Sequence, residues 1–211
     1  MQNMRAVALE TDIDRIAQSL KIRHPRFRLM WLVGIETGLR ISDLLSLTPG
    51  MFAPAGAFTL TERKTGKERR CFLSQELWLE VKQFMNIHRL APDDFVFFSS
   101  SSDKKKPISR QWATRMIAQD AKLRGLSRIG AHSMRKVYAC KLYLSSGQIS
   151  SVQAALNHRY PSTTMHYLAD LLPGIGQEAN LKPLPEPPRA HRRPAGVFSR
   201  LFNRLFKALK A

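Results

Sequence analysis

Residues 37–47 read Thr37-Gly38-Leu39-Arg40-Ile41-Ser42-Asp43-Leu44-Leu45-Ser46-Leu47, and the fold of the chain turns on how they are read. Ile41, Leu44, Leu45 and Leu47 recur at helical spacing and predict a short helix that turns them inward, with Arg40 just ahead of it. Upstream, Pro25 suits the first turn of a helix that runs through Met30, Trp31, Val33 and Ile35 and ends near Gly38. Before that, Thr11 is placed to cap a helix from Asp12 to Arg23, with Ile13, Ile16, Ala17 and Leu20 on one face.

Downstream the pattern changes. Pro49, Gly50, Pro54 and Gly56 break the helical run. Ala57–Glu62 and Glu68–Leu73 then read as two strands joined by the tight turn Lys64-Thr65-Gly66-Lys67. Helices resume from Ser74 to about Arg89, from a Ser109 cap to Arg124 with Gly125 closing, and from Ala131 to Leu144 with Gly147 near its end. Phe95–Ser99 is a short apolar piece, and Ser99–Lys106 is a polar, basic loop. Two shorter helices are expected at Ser151–Asn157 and Pro161–Leu172. The expectation is a mainly α domain with a small antiparallel β-sheet.

The 211 residues hold 34 Lys/Arg against 16 Asp/Glu, a net charge of +18, which points to a polyanionic partner. Residues 182–211 carry eight of the basic residues and one Glu, so the body stays basic without them. Cys71 and Cys140 are too few for a disulfide framework, and no clustered Cys/His ligands suggest a structural metal. Met1–Asp12 lacks the apolar core of a signal peptide and no apolar run is long enough to span a bilayer, so a cytoplasmic protein is expected. Lys182–Pro194 holds five prolines and favours an extended linker. Beyond it, Phe198, Leu201, Phe202, Leu205, Phe206 and Leu209 form an apolar helical stripe beside Arg200, Arg204, Lys207 and Lys210. Three readings of that segment stay open: packing on a neighbouring protomer, lying on an anionic membrane surface, or folding back on its own domain.

Phosphodiester transfer without a metal needs guanidinium groups to meet charge on the non-bridging oxygens, a nucleophile helped to lose its proton, and an acid for the leaving oxygen. Candidates for each lie in order along the chain: Arg40, Lys64 in the hairpin turn, His132 and Arg135 three residues apart, His158, and Tyr167. Singly, each has an ordinary structural reading as a surface, turn, cap or core residue. Their joint order is what carries weight.

That order, with Gly38-Leu39-Arg40-Ile41-Ser42-Asp43, His132-Ser133-Met134-Arg135, Leu156-Asn157-His158 and Thr164-Met165-His166-Tyr167, resembles the tyrosine recombinases, or phage integrases. The resemblance spans about residues 8–172 and is similar to short members that hold little more than the catalytic domain, such as fimbrial-switch invertases. Larger members carry a helical core-binding domain ahead of this region; the residues ahead of Arg40 are too few to be expected to hold one, and a fragment of a longer protein stays open. The organisation implied is a catalytic domain over 1–175, a linker over 176–197 and a basic amphipathic helix over 198–211.

The resemblance implies that Arg40 and Arg135 hold the scissile phosphate and that Lys64 protonates the leaving 5′-oxygen, with Lys67 an interchangeable candidate. It implies that His132 assists the tyrosine proton, His158 supports the phosphate, Tyr167 forms a 3′-phosphotyrosine and Asp43 buttresses the site. It implies no metal, cofactor or ATP. Two positions depart from the family pattern: Asn157 stands where Gly is usual before the histidine, and Lys136 where His usually follows Arg135. Arg63, Lys67, Arg69, Arg70, Lys104, Lys105 and Lys106 are expected to contact DNA phosphates. The partners implied are double-stranded DNA, three further protomers on that DNA, and an accessory DNA-binding protein; a membrane is not expected. The readings set against site-specific recombination are a type IB topoisomerase-like enzyme and a non-catalytic DNA-binding regulator of the same fold.

Overall fold

The structure is a computed structural model that describes residues 10–101, 104–126 and 129–169. These fall into two compact units that divide between Ala139 and Cys140. The Pro-rich linker and the amphipathic helix expected over 198–211, and the end of the last expected helix, lie outside the described residues.

In the first unit, α1 (Glu10–Arg23) includes Glu10, so Thr11 lies inside its first turn rather than ahead of it. Its apolar stripe of Ile13, Ile16, Ala17 and Leu20 is buried. Pro25 opens α2 (Pro25–Thr37), which Gly38 ends in the left-handed conformation at φ +63°. Trp31, Met30 and Val33 of α2 are buried in the core, each such side chain contributing about 2 kcal/mol of apolar burial. Gly34 faces Met134: a Cβ there would meet its Sδ at 2.4 Å, so only hydrogen permits this approach. A four-residue helix, α3 (Ile41–Leu44), follows Arg40 as expected, with Leu44, Leu45 and Leu47 buried.

Two 3-10 turns, Pro49–Met51 and Pro54–Gly56, lead into β1 (Ala57–Thr61). It pairs antiparallel with β2 (Glu68–Phe72), Leu60 opposite Arg69 and Thr59 opposite Arg70. The period-two rule turns Phe58 and Leu60 of β1, and Arg69 and Cys71 of β2, toward the core. Phe52 stacks on Trp78 at 5.2 Å between ring centroids and covers one end of the sheet. Ser74 caps α4 (Gln75–Ile87) by accepting from the Leu77 amide, and Ser109 caps α5 (Arg110–Leu123) by accepting from Trp112. Helix α1 packs on α2 and α5, and α2 also packs on α3 and α4.

The division between units falls inside α6 (Ala131–Ser146), which runs two residues past its expected end. The second unit adds α7 (Ile149–Leu156) and α8 (Pro161–Ala169), which pack together through buried Val152, Leu156 and Leu168. Among the described residues, no helix is long and apolar enough to cross a membrane.

Candidate active site

Arg40 occupies the N-cap of α3 in extended backbone, two residues after the left-handed Gly38. Its Nη1 lies 2.8 Å from Oε2 of Glu62, a carboxylate with no exposed surface, while about a fifth of the Arg40 side chain (21%) stays open to solvent. The other carboxylate oxygen of Glu62 takes Nη1 of Arg69 at 3.3 Å. Arg69 is itself buried and its second terminal nitrogen donates to the Thr37 carbonyl. Nη1 of Arg135 donates to the Gly38 carbonyl at 2.7 Å. Two guanidiniums therefore satisfy the last carbonyls of α2, where the helix dipole also favours positive charge. The short segment that presents Arg40 is braced by both.

Lys64 sits exposed on the hairpin turn. Gly66 makes that turn at φ +66°, with the Glu62 amide donating to the Lys67 carbonyl at 2.9 Å and the Gly66 amide to the Glu62 carbonyl at 2.8 Å. Asp43 is fully buried and its Oδ1 accepts the backbone amide of Arg63 at 3.1 Å. This ties the start of the turn to α3. The hydroxyl of Thr65 donates to Glu62 Oε2 at 2.8 Å, so the turn is fastened to two buried acids.

His132 and Arg135 share a face at the start of α6, with Arg135 and Lys136 buried and His132 retaining exposure. Partial loss of hydration, then the charges of Lys136, Arg135 and Arg40, hold the His132 imidazole below its ordinary value of 6.5. The ring is thus neutral at neutral pH and able to accept a proton. Lys136, where the family pattern has His, is packed inside the unit with the rest.

In the second unit, His158 Nδ1 lies 2.9 Å from the hydroxyl of Thr164, which is fully buried on α8. The ring of Tyr167 stands edge-on to that of His158, with centroids 5.5 Å apart and planes at 79°. The reversal between α7 and α8 passes through Asn157 at φ +51°. The left-handed region is where Gly is easiest and Asn is the best-tolerated alternative, so the Gly-to-Asn departure leaves the backbone path available. The His158 amide donates to the Gln153 carbonyl at 3.1 Å and fixes the ring's base.

The structure therefore gathers Arg40, Asp43, His132 and Arg135 in one unit and pairs His158 with Tyr167 in the other, with Lys64 on an exposed turn. The expected phosphate contacts divide. Arg63, Lys67, Arg70 and Lys106 are exposed. Arg69 is not at the surface, because its register opposite Leu60 turns it inward onto Glu62. Lys104 donates to the carbonyls of His88 and Arg89 at 2.7 and 3.3 Å, closing the end of α4. Lys105 is paired with Asp93 and Asp94 at 2.7 and 2.9 Å. Glu62 was missed by sequence reasoning, although the alternation Phe58, Leu60, Glu62 places an acid at an inward position, which signals a buried cationic partner. Among the described residues no group of three His, Cys, Asp or Glu side chains is arranged to hold a metal ion.

Comparison with known proteins places this geometry. Residues 7–171 match the phage integrase family. The probable integrase/recombinase YoeC of Bacillus subtilis (strain 168) is 31% identical over 156 residues, which are 74% of this chain and 84% of YoeC. The crystal structure of XerA recombinase superposes with a TM-score of 0.68 over 85% of this chain and 64% of that one, at 18% identity. The XerH site-specific recombinase bound to palindromic difH substrate, in a post-cleavage complex, gives 0.66 over 84% of this chain and 53% of XerH, at 21% identity. The chain thus spans between about half and two thirds of these solved chains, and the small antiparallel sheet among helices is their catalytic-domain fold. With most of its length matched and the boxes around Arg40, Arg135 and His158 in place, the chain belongs to the phage integrase family, the tyrosine recombinases.

Proposed function

We propose that this chain is a site-specific DNA recombinase or integrase that cuts and rejoins duplex DNA through a 3′-phosphotyrosine, without metal or ATP. Tyr167 Oη attacks the scissile phosphorus, an Oη–P bond forms, the P–O5′ bond breaks, and Lys64 gives the leaving 5′-oxygen its proton. Arg40 and Arg135 neutralise charge on the non-bridging oxygens, where fixed forked donors act most strongly. His132, held neutral, accepts the tyrosine proton, and His158 adds a donor to the phosphate. The ester energy is kept in the phosphotyrosine, so attack by a second 5′-hydroxyl reseals a strand with no further input.

The single observation that carries this reading is the braced Gly38-Leu39-Arg40 segment, with Arg135 donating to the Gly38 carbonyl and Arg40 paired with the buried Glu62 carboxylate. Family membership supports the same chemistry. The partner is double-stranded DNA, consistent with the chain's net charge of +18. Each protomer cuts one strand and an exchange between two duplexes needs four cuts, so four protomers act together. On this reading residues 1–175 are catalytic, 176–197 link, and 198–211 form a helix that packs on a neighbouring protomer.

The test is covalent trapping in EDTA on nicked duplexes drawn from DNA flanking the gene. The wild-type chain is expected to give a denaturation-resistant protein–DNA adduct and the Tyr167→Phe chain none. Binding by both proteins with no adduct from either would replace this reading with that of a non-catalytic DNA-binding regulator.

A further inference from the structure

The hairpin that carries Lys64 and the loop that carries Arg40 are joined through one residue that neither motif contains. Glu62 follows β1 at a position where the inward series Phe58, Leu60 would ordinarily continue with an apolar side chain. It presents a carboxylate with no exposed surface instead. Its backbone closes the turn around Lys64, with the Gly66 amide donating to its carbonyl at 2.8 Å and its own amide donating to the Lys67 carbonyl at 2.9 Å. Its side chain reaches the other way. Oε2 lies 2.8 Å from Arg40 Nη1, an ion pair outside hydrogen-bond geometry, and accepts the Thr65 hydroxyl at 2.8 Å; Oε1 accepts Arg69 Nη1 at 3.3 Å.

We infer that Glu62 is a positioning residue that aims the Arg40 guanidinium and couples it to the turn bearing Lys64, through the carboxylate contacts with Arg40 and Thr65. A buried ion pair is poor evidence for stability, because desolvation offsets much of its attraction and an apolar side chain of similar volume does as well. The charge at this position is explained by orientation. Glu62 holds Arg40 from behind and leaves its open face for an incoming anion. One carboxylate against two guanidiniums also leaves the cluster with a positive charge for a phosphate to complete. Arg69 takes part as the anchor: buried against Glu62, with its guanidinium 5.8 Å from the Tyr138 ring centroid, it keeps the carboxylate from swinging wholly to Arg40.

The inference rests on the recombinase reading for its rate consequences but not for its geometry, and the experiment separates the two. The full chain is compared with Glu62→Gln and with the charge-preserving Glu62→Asp, each also on an Arg40→Lys background. Three quantities are read: affinity for a nicked duplex, the single-turnover rate of adduct formation, and labelling of Arg40 by an arginine-specific dicarbonyl, located by mass spectrometry. Glu62→Gln is expected to slow adduct formation about tenfold or more with affinity changed less than about twofold, and to cost less than about twofold once Arg40 is Lys. Labelling of Arg40 should rise several-fold in Glu62→Gln and return toward wild type in Glu62→Asp. An equal rate cost on both backgrounds, or unchanged Arg40 labelling, overturns the inference. If even the wild-type chain forms no adduct, the recombinase reading fails, and the labelling result still decides whether Glu62 holds Arg40.

Discussion

In the proposed mechanism Arg40 and Arg135 do what a lysine cannot. A planar guanidinium meets two phosphate oxygens at once and stays charged at any working pH, whereas an ammonium is a single point charge with a larger hydration shell. Arg135 has a second task, since it also holds the Gly38 carbonyl. Arg135→Lys is therefore expected to lower the rate of adduct formation by about 100-fold while leaving duplex binding nearly intact; a drop of less than about fivefold would mean that charge alone suffices there.

His132 gives a pH dependence of definite sign. Its folded value is depressed below 6.5, so as pH falls the unfolded chain binds this proton first. The stability that neutral His132 confers is complete above about 6.5 and is lost as pH falls from there toward the depressed folded value. His132→Gln should flatten the fall of Tm between pH 7 and pH 5, measured by thermal melts, leaving the part from His88, which is shifted the same way. A steeper fall in the variant contradicts the assignment.

Among elements, the turns decide more than the helices. The α7–α8 reversal needs a residue at φ +51°, which Asn157 supplies. Asn157→Gly should leave stability within about 1 kcal/mol, whereas Asn157→Val should cost about 1–2 kcal/mol, both read by denaturant unfolding. Equal destabilisation by the two would show that the Asn side chain, not the backbone conformation, is what matters. At Gly38 the demand is doubled, because φ is +63° and a Cβ would also meet the Tyr138 ring at 2.3 Å.

These elements also show which parts of the molecule were legible in the sequence. The Ser109 cap, the helix starting near Ser74, Pro25 at the head of α2, Gly38 at its end and the strands around Lys64-Thr65-Gly66-Lys67 follow from local rules, and the structure has each. Thr11 misled because the helical pattern extends to Glu10 before it. Arg69 and Lys104 misled for a shared reason. Basic residues on and near a hairpin or loop look solvated until the strand register, or the end of a helix elsewhere in the chain, gives them a buried acid or an open carbonyl. Glu62 was hidden because its partners, Arg40 and Arg69, lie 22 and 7 residues away in opposite directions, and only folding brings them to one carboxylate.

At the scale of the whole molecule, charge sets how the chain meets its partner. On the proposed reading, a net +18 makes the first encounter with a duplex electrostatic and dependent on salt. Arg63, Lys67 and Arg70 flank the hairpin on its exposed side. Replacing each with Gln is expected to weaken duplex binding alike for all sequences and to reduce the slope of log affinity against log salt by about one for each phosphate interaction removed. Arg69→Gln should act differently, through folding and Arg40, because it lies inside. A salt slope that falls as much for Arg69 as for Arg70 would contradict the burial that separates them.

The most direct measurement is peptide mapping of the trapped protein–DNA adduct. The adduct is formed in EDTA, digested with nuclease and protease, and the modified residue located by mass spectrometry. The expected product is a single nucleotide remnant linked through a 3′-phosphate to Tyr167. A remnant on any other residue, or one joined through a 5′-phosphate, would refute the proposed chemistry.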